Sequence, residues 1–204
     1  MKKLNNYISE KLNIKDIKHQ YKYFPKTHYE LTELVDKLIK KRGNDADLND
    51  IDTSEITDMS ELFYTSDFNG DISNWDVSNV TDMCGMFFHS KFNRDISKWD
   101  VSNVEDMSYM FHSSKFTAEN GDIFNWDVSN VTNMGYMFYG CKEFNSDLSK
   151  WDVSNVTDIE GMFYSCEKFN SDLSKWDVSN VKHMHDIFNY SPLEKNPPKW
   201  YKNN

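Results

Sequence analysis

Five aspartates recur at one position of a repeated phrase, and they are the side chains in this sequence best placed to bind something. They are Asp76, Asp100, Asp127, Asp152 and Asp177, each within a W-D-V-S-N phrase. Stacked copies would space these carboxylates by about 4.8 Å, a separation at which like charges repel by about 1 kcal/mol per pair even in water. The column therefore predicts one of three partners: a basic protein, calcium, or the backbone of each aspartate's own turn.

The third possibility includes an internal ladder of side-chain amides. Its members would be Asn79, Asn103, Asn130, Asn155 and Asn180, which follow the aspartates by three residues. In that interpretation the aspartates are turn residues rather than ligands.

The other reactive residue types do not assemble into a catalytic set. His183 and His185 stand at i and i+2, which point in different directions on a helix, and the repeated serines have no histidine partner. Cys141 and Cys166 occupy a position that holds serine in other copies, which indicates a small residue in a tight turn. A disulfide bridge between these two cysteines is the alternative interpretation. The sequence predicts no enzyme activity, no cofactor and no metal site.

Tryptophans mark the ends of a repeated unit. They lie at positions 75, 99, 126, 151, 176 and 200, so the unit has 24 to 27 residues, a period typical of stacked repeats. Apolar and polar residues alternate in the segment 99–101, which predicts a short strand. Met107, Met110 and Phe111 stand at i, i+3 and i+4, which predicts a short helix. The predicted fold class is α/β: a leucine-rich-repeat-like solenoid of about seven strand-helix rungs with an N-terminal helical cap.

The chain divides into three segments. Residues 1–46 form a basic capping segment with an amphipathic helix at 28–42, where Thr27 and Glu30 form a capping box and Gly43 ends the helix. A further short helix is predicted within residues 4–12, and a strand at 20–24. Residues 47–190 form the repeats, with Ile51 at the first tryptophan position, and 191–204 form a C-terminal cap in which Trp200 and Tyr201 close the last copy.

The charge is unevenly distributed. Residues 1–46 carry 11 Lys and Arg against 6 Asp and Glu, whereas the remaining residues carry 12 against 27. The acidic repeats argue against direct nucleic-acid binding, which requires cationic side chains. No membrane span, signal peptide or lipobox is recognisable, so a cytoplasmic, monomeric protein of a bacterial or phage-infected host cell is expected.

The repeated phrases W-D-V-S-N-V-T-D-M, M-F and F-N-x-D-I/L-S-x-W resemble the BspA-like repeat over residues 47 to about 190. That repeat of bacterial surface proteins, mycoplasma lipoproteins and gut phage proteins is similar to the leucine-rich repeat. The resemblance implies a stacked repeat but no biochemical role, because most members have no assigned one.

The expected function is a non-enzymatic protein–protein interaction module that presents an extended acidic surface to a protein partner, for which a basic protein is the candidate. Candidate binding residues are the five aspartates of the W-D-V-S-N phrase together with Lys115, Glu119 and Asn120, which lie where the third unit inserts three residues. Two alternatives are an acidic DNA mimic that acts as a decoy and a calcium-dependent structural or adhesion module.

Overall fold

A computed structural model describes residues 21–202 of the chain. Its regular elements are one α-helix, α1 (His28–Arg42), and one short 3-10 helix (Pro192–Glu194). Among the described residues, no helix is both long enough and apolar enough to cross a membrane. The helix predicted within residues 4–12 lies outside the described residues.

The predicted α/β fold of seven strand-helix rungs is wrong. Residues 21–202 contain no helix within the repeats, and isolated parallel bridges take the place of strands. Tyr23 likewise forms a single bridge, to Ile51, where the sequence predicted a strand. The repeats are instead made of consecutive tight turns, and equivalent residues of successive copies lie side by side.

The backbone of residues 83–90 shows why no helix forms. The N–H groups of Met83, Gly85 and Phe87 donate to carbonyls of the following copy, at 2.8 to 2.9 Å. Between them, the N–H groups of Met86 and Phe88 donate to the carbonyl three residues earlier. An α-helix would need all of these groups for bonds to the carbonyl four residues earlier. Each copy therefore gives up helical bonds in exchange for bonds to its neighbour.

Left-handed backbone conformations accompany this alternation. Two positions with positive φ recur in every copy, the first at Glu61, Gly85, Tyr109, Tyr136, Gly161 and Asp186, and the second four residues later; Ala118 adds one more in the insertion. Such angles cost a non-glycine residue about 1–2 kcal/mol. The bonds between copies hold the backbone in this conformation.

The predicted strand at W-D-V is also misplaced. Five bridges between repeats lie at the aspartate of the T-D-M phrase and connect Asp58, Asp82, Asp106, Asn133, Asp158 and His183 in order; a further bridge joins Asp47 to Asp71. Residues 77–80 instead form a turn, in which Val80 N–H donates to the Val77 carbonyl at 2.9 Å. Two apolar residues around one polar residue were too short a pattern to distinguish a strand from a turn.

Buried aromatic rings fill the interior. One column, which we call the inner ladder, consists of Phe63, Phe87, Phe111, Phe138, Phe163 and Phe188, with successive centroids 5.4 to 6.1 Å apart. The six tryptophan indoles each donate to a backbone carbonyl of the preceding copy, at 2.8 to 3.3 Å. Trp200 continues the column of tryptophans, as its spacing predicted, and its ring centroid lies 6.3 Å from that of Trp176.

Helix α1 packs against the first copy, and its bounds agree with the sequence prediction. Leu31, Val35 and Leu38 are buried in the same apolar core as the repeats. The Thr27 side chain accepts from Glu30 N–H at 3.2 Å, and Gly43 N–H donates to the Ile39 carbonyl at 2.8 Å. These bonds satisfy backbone groups at both helix ends.

Candidate functional site

A column of aromatic rings runs along the surface directly beside the inner ladder. We call it the outer ladder; its rings belong to Tyr64, Phe88, His112, Tyr139, Tyr164 and Tyr190. The first five rings stack at 4.6 to 4.7 Å with interplanar angles of 3° to 17°. Tyr190 meets Tyr164 edge-on at 5.2 Å. Six neighbouring copies thus contribute to one continuous aromatic surface.

The stacking decides which part of each ring a ligand can reach. Phe88, His112 and Tyr139 have a ring on each side, so their faces are covered and only their edges face solvent. Stacking a sugar or a cation on these faces is therefore excluded. The ends of the ladder are more accessible, since Tyr64 is 47% exposed and Tyr190 is 65% exposed. An exposed row of ring edges suits packing against side chains of another protein.

Carboxylates lie beside the outer ladder. Tyr136, whose ring centroid is 6.0 Å from that of Tyr139, donates its hydroxyl to the Glu160 carboxylate, which raises the pKa of Tyr136. The Asp158 carboxylate also raises the pKa of Tyr136, to a smaller extent. The ladder therefore borders a region of negative potential.

The five aspartates predicted from the sequence accept bonds within their own turns. Their Oδ1 atoms accept from the backbone N–H two residues on, at 3.0 to 3.2 Å. The serine hydroxyl, followed by its N–H, lowers the pKa of Asp100, Asp152 and Asp177. For Asp177 the neighbouring carboxylate of Asp152 has the smallest effect. The turn, rather than a partner, accounts for the position of these side chains.

The predicted internal amide ladder is only partly correct. Asn79, Asn103, Asn130, Asn155 and Asn180 each donate an amide N–H to a serine carbonyl of the preceding copy, at 2.7 to 2.8 Å. The amides do not bond one another, and these side chains are exposed. Surface exposure follows from the turn, which directs the asparagine away from the core.

Sequence reasoning missed two further columns of the same turn. Aspartates of the F-N-x-D phrase accept from the N–H two residues on at 2.8 to 3.0 Å, at positions 47, 71, 95, 122, 147 and 172. The T-D-M column does so at 2.7 to 3.0 Å, with Asn133 replacing aspartate in one copy. Much of the acidity of the repeats therefore comes from residues that shape turns.

The other candidate residues do not form one site. Lys115 borders a shallow cavity of about 480 Å³ that Tyr139 and Lys142 also line. Asn120 borders a different cavity, of about 450 Å³, and donates to the Asn93 carbonyl at 2.7 Å. Glu119 is exposed beside it. The insertion thus spreads these side chains over separate parts of the surface.

Cys141 and Cys166 occupy buried structural positions. The three cysteines are free thiols, so the bridge between Cys141 and Cys166 does not form, and each of these two donates to a buried carbonyl at 2.8 to 2.9 Å. Burial raises the pKa of Cys141 to about 12. Within residues 21–202, no group of three or more His, Cys, Asp or Glu side chains is placed to hold a metal ion.

A signal for the outer ladder was present in the sequence. The residue after each apolar pair ending in Phe is Tyr64, Phe88, His112, Tyr139 or Tyr164, and the last copy has Tyr190 one residue later. Alternation of inward and outward rings in a turn places this residue on the surface, whereas a helical interpretation gave it no distinct role.

The comparisons with known proteins concern the whole repeat region. No curated protein and no solved structure matches the chain. One family profile matches twice, over residues 30–120 and 114–200. Since these matches cover most of the 204 residues, the chain belongs to the family described as Mycoplasma protein of unknown function, DUF285.

Proposed function

We propose that this protein is a non-enzymatic interaction module that binds another protein along the outer ladder. The observation that supports the proposal is the continuous row of aromatic rings from Tyr64 to Tyr190. These rings stack on one another, and the ring edges that face solvent are left for a partner to contact. Exposed aromatic rings are enriched in protein interfaces, where they supply large contact areas at low entropic cost. The resemblance to BspA-like repeats of bacterial surface proteins is compatible with such a role.

The chemistry beside the ladder favours a basic partner. Within residues 21–202, the carboxylates of Asp158 and Glu160, which both act on Tyr136, have no Lys or Arg nitrogen within 4 Å. A partner that places Lys or Arg opposite them would gain electrostatic steering, and its association would slow as salt is added.

Two variants of the full chain test which surface binds. The ladder variant carries Tyr64→Ser, Tyr164→Ser and Tyr190→Ser. The matched control carries Asp100→Asn, Asp127→Asn and Asp152→Asn, in which the amide oxygen still accepts the turn bond. Proteins cross-linked from an extract of the source cells are quantified by mass spectrometry, and the affinity of each purified partner is then measured. Circular dichroism and thermal melting verify that both variants fold.

The proposal predicts at least tenfold weaker binding by the ladder variant and near-normal binding by the aspartate control. Equal binding by both variants would refute it. Loss in the aspartate control alone would instead place the site at the W-D-V-S-N corner. A DNA mimic would show that second pattern with nucleic-acid-binding proteins, and a calcium-dependent module would show a melting temperature that rises with calcium.

A further inference from the structure

The last repeat copy ends the stack with backbone donors that no other copy takes up. In the copy before it, the N–H groups of Ile159 and Gly161 donate to carbonyls of the last copy, both at 2.9 Å. The equivalent N–H groups of the last copy belong to Met184 and Asp186, and among residues 21–202 neither has a hydrogen-bond acceptor. Because the bonds between copies all run in one direction, these two donors point out of the C-terminal end of the repeats.

A departure from the repeat frees a third donor between these two. In five earlier copies the side chain at the aspartate of the T-D-M phrase accepts from the N–H two residues on, at 2.7 to 3.0 Å. The last copy has His183 there, and the N–H of His185 has no acceptor in the described part of the chain. Asp186, with φ of 57°, completes three successive unpaired N–H groups. Successive N–H groups around a left-handed residue form a concavity that suits anionic oxygens.

The same end exposes apolar side chains that the earlier copies bury. Val178, Val181 and Met184 are only partly buried, whereas their equivalents in the preceding copy are at most 1% exposed. The C-terminal cap closes the column of tryptophans, through Trp200 on Trp176. It leaves the other three side chains partly accessible, so an apolar surface lies beside the unpaired N–H groups.

The side chains around these donors are complementary to an acid. Lys182, His183 and His185 are exposed and stand where the preceding copy has Thr, Asp and Glu. Within residues 21–202, no carboxylate oxygen lies within 4 Å of the Lys182 Nζ atom. The one carboxylate of this segment, that of Asp186, accepts from Asn189 Nδ2 at 2.7 Å. The end of an otherwise acidic stack therefore offers a cation and unpaired donors.

We propose that the C-terminal end of the repeats binds an extended acidic segment of a protein partner as one further layer of the stack. Carbonyls of the segment accept from the N–H groups of Met184 and Asp186, as each copy accepts from the copy before it. An Asp or Glu side chain of the segment accepts from the His185 N–H and pairs with Lys182. A second copy of this chain fits less well, because helix α1 packs on its first repeat. This site is separate from the outer ladder and does not rest on the proposed function.

The test uses a peptide probe taken from the chain itself. Residues 155–164, N-V-T-D-I-E-G-M-F-Y, form the layer that accepts from the copy before it, and a capped peptide of this sequence imitates the missing layer. It is titrated into the full chain, and the amide shifts of residues 184–186 are followed by NMR. One control peptide has the same residues in scrambled order, and the other has Asn and Gln in place of Asp and Glu. We expect saturable shifts at millimolar peptide and at least fivefold weaker binding of both controls.

Three variants of the full chain locate the contact. His183→Asp restores the residue of the other copies, so its own carboxylate takes the His185 N–H and repels the acidic peptide; binding should fall at least tenfold. Lys182→Glu should weaken binding at least fivefold. Lys98→Glu, the same charge change at an exposed lysine of another copy, should leave binding unchanged. Thermal melting verifies that all three variants fold.

Equal binding of the scrambled peptide, or undiminished binding by His183→Asp, would overturn the site. Equal shifts with sodium acetate or inorganic phosphate at the same concentration would reject the peptide in favour of a simple anion. A dimer that sedimentation detects in the native chain and not in His183→Asp would reject it in favour of a second copy. None of these results affects partner capture along the outer ladder, because the ladder variant leaves residues 182–186 unchanged. The two proposals therefore fail separately.

Discussion

The inner and outer ladders use adjacent residues and similar stacking for different purposes. Phe138 and Tyr139 are neighbours in sequence, and each ring stacks on its equivalents in the copies before and after. Phe138 is completely buried and also contacts Phe144 at 4.0 Å, whereas Tyr139 is only half-buried. The same repeat thus places one ring of each pair in the core and one at the surface.

The largest expected effect separates the two ladders by stability. Phe138→Ala leaves a cavity in a close-packed core and should lower the free energy of unfolding by about 3–5 kcal/mol. Tyr139→Ala removes two stacked pairs at the surface and should cost about 1–2 kcal/mol. Urea denaturation of both variants provides the measurement. Equal losses would mean that the outer ladder is a second core rather than a binding surface.

A smaller effect concerns the tryptophan indole N–H, the polar group that each copy places in the core. Trp126→Phe keeps an aromatic ring but removes the N–H that donates to the buried Ile96 carbonyl at 3.2 Å. An unpaired buried acceptor should cost about 1–3 kcal/mol. Hydrogen exchange should show the loosening concentrated in the copies next to Trp126, since stacked repeats support their nearest neighbours. Uniform loosening along the chain would contradict this expectation.

The sequence predicted long-range order better than local conformation. The spacing of the tryptophans correctly predicted which residues of successive copies lie side by side. The one local element that was predicted correctly is α1, whose ends Thr27 and Gly43 mark, because a helix cap depends only on nearby residues. The helix predicted at Met107, Met110 and Phe111 was wrong because alternate N–H groups bond the next copy, an interaction that no local pattern reveals. The direction of the outer-ladder rings follows from the same alternation.

The candidate site was therefore only partly predictable. The aspartate turns were foreseeable because the D-x-S spacing acts within a few residues. The outer ladder left a signal, an aromatic residue after each apolar pair, but that signal gains its meaning only from the direction of a side chain between left-handed residues, which the sequence did not reveal. Glycine at position 85 was ambiguous in sequence: it suits a positive φ, yet Tyr109 and Tyr136 adopt the same angle.

The smallest predicted effect uses the one imidazole within the outer ladder. His112 stacks between Phe88 and Tyr139, each at 4.6 Å, and its buried Nδ1 atom has no hydrogen-bond partner. Burial, followed by the nearby charge of His89, lowers the pKa of His112 from 6.5 to about 4. Between these two values the unfolded chain binds more protons than the folded one, so stability falls as the pH drops through this window.

His112→Phe should remove that part of the pH dependence, since Phe88 shows that the same position accepts phenylalanine. The urea midpoint of the native chain should therefore decrease more between pH 7 and pH 5 than that of the variant. Tyr109, whose ring centroid is 5.8 Å from that of His112, stays neutral in this range because its pKa is raised. Parallel profiles would show that His112 is solvated in the folded state, and the outer ladder would then be looser than its stacking distances indicate.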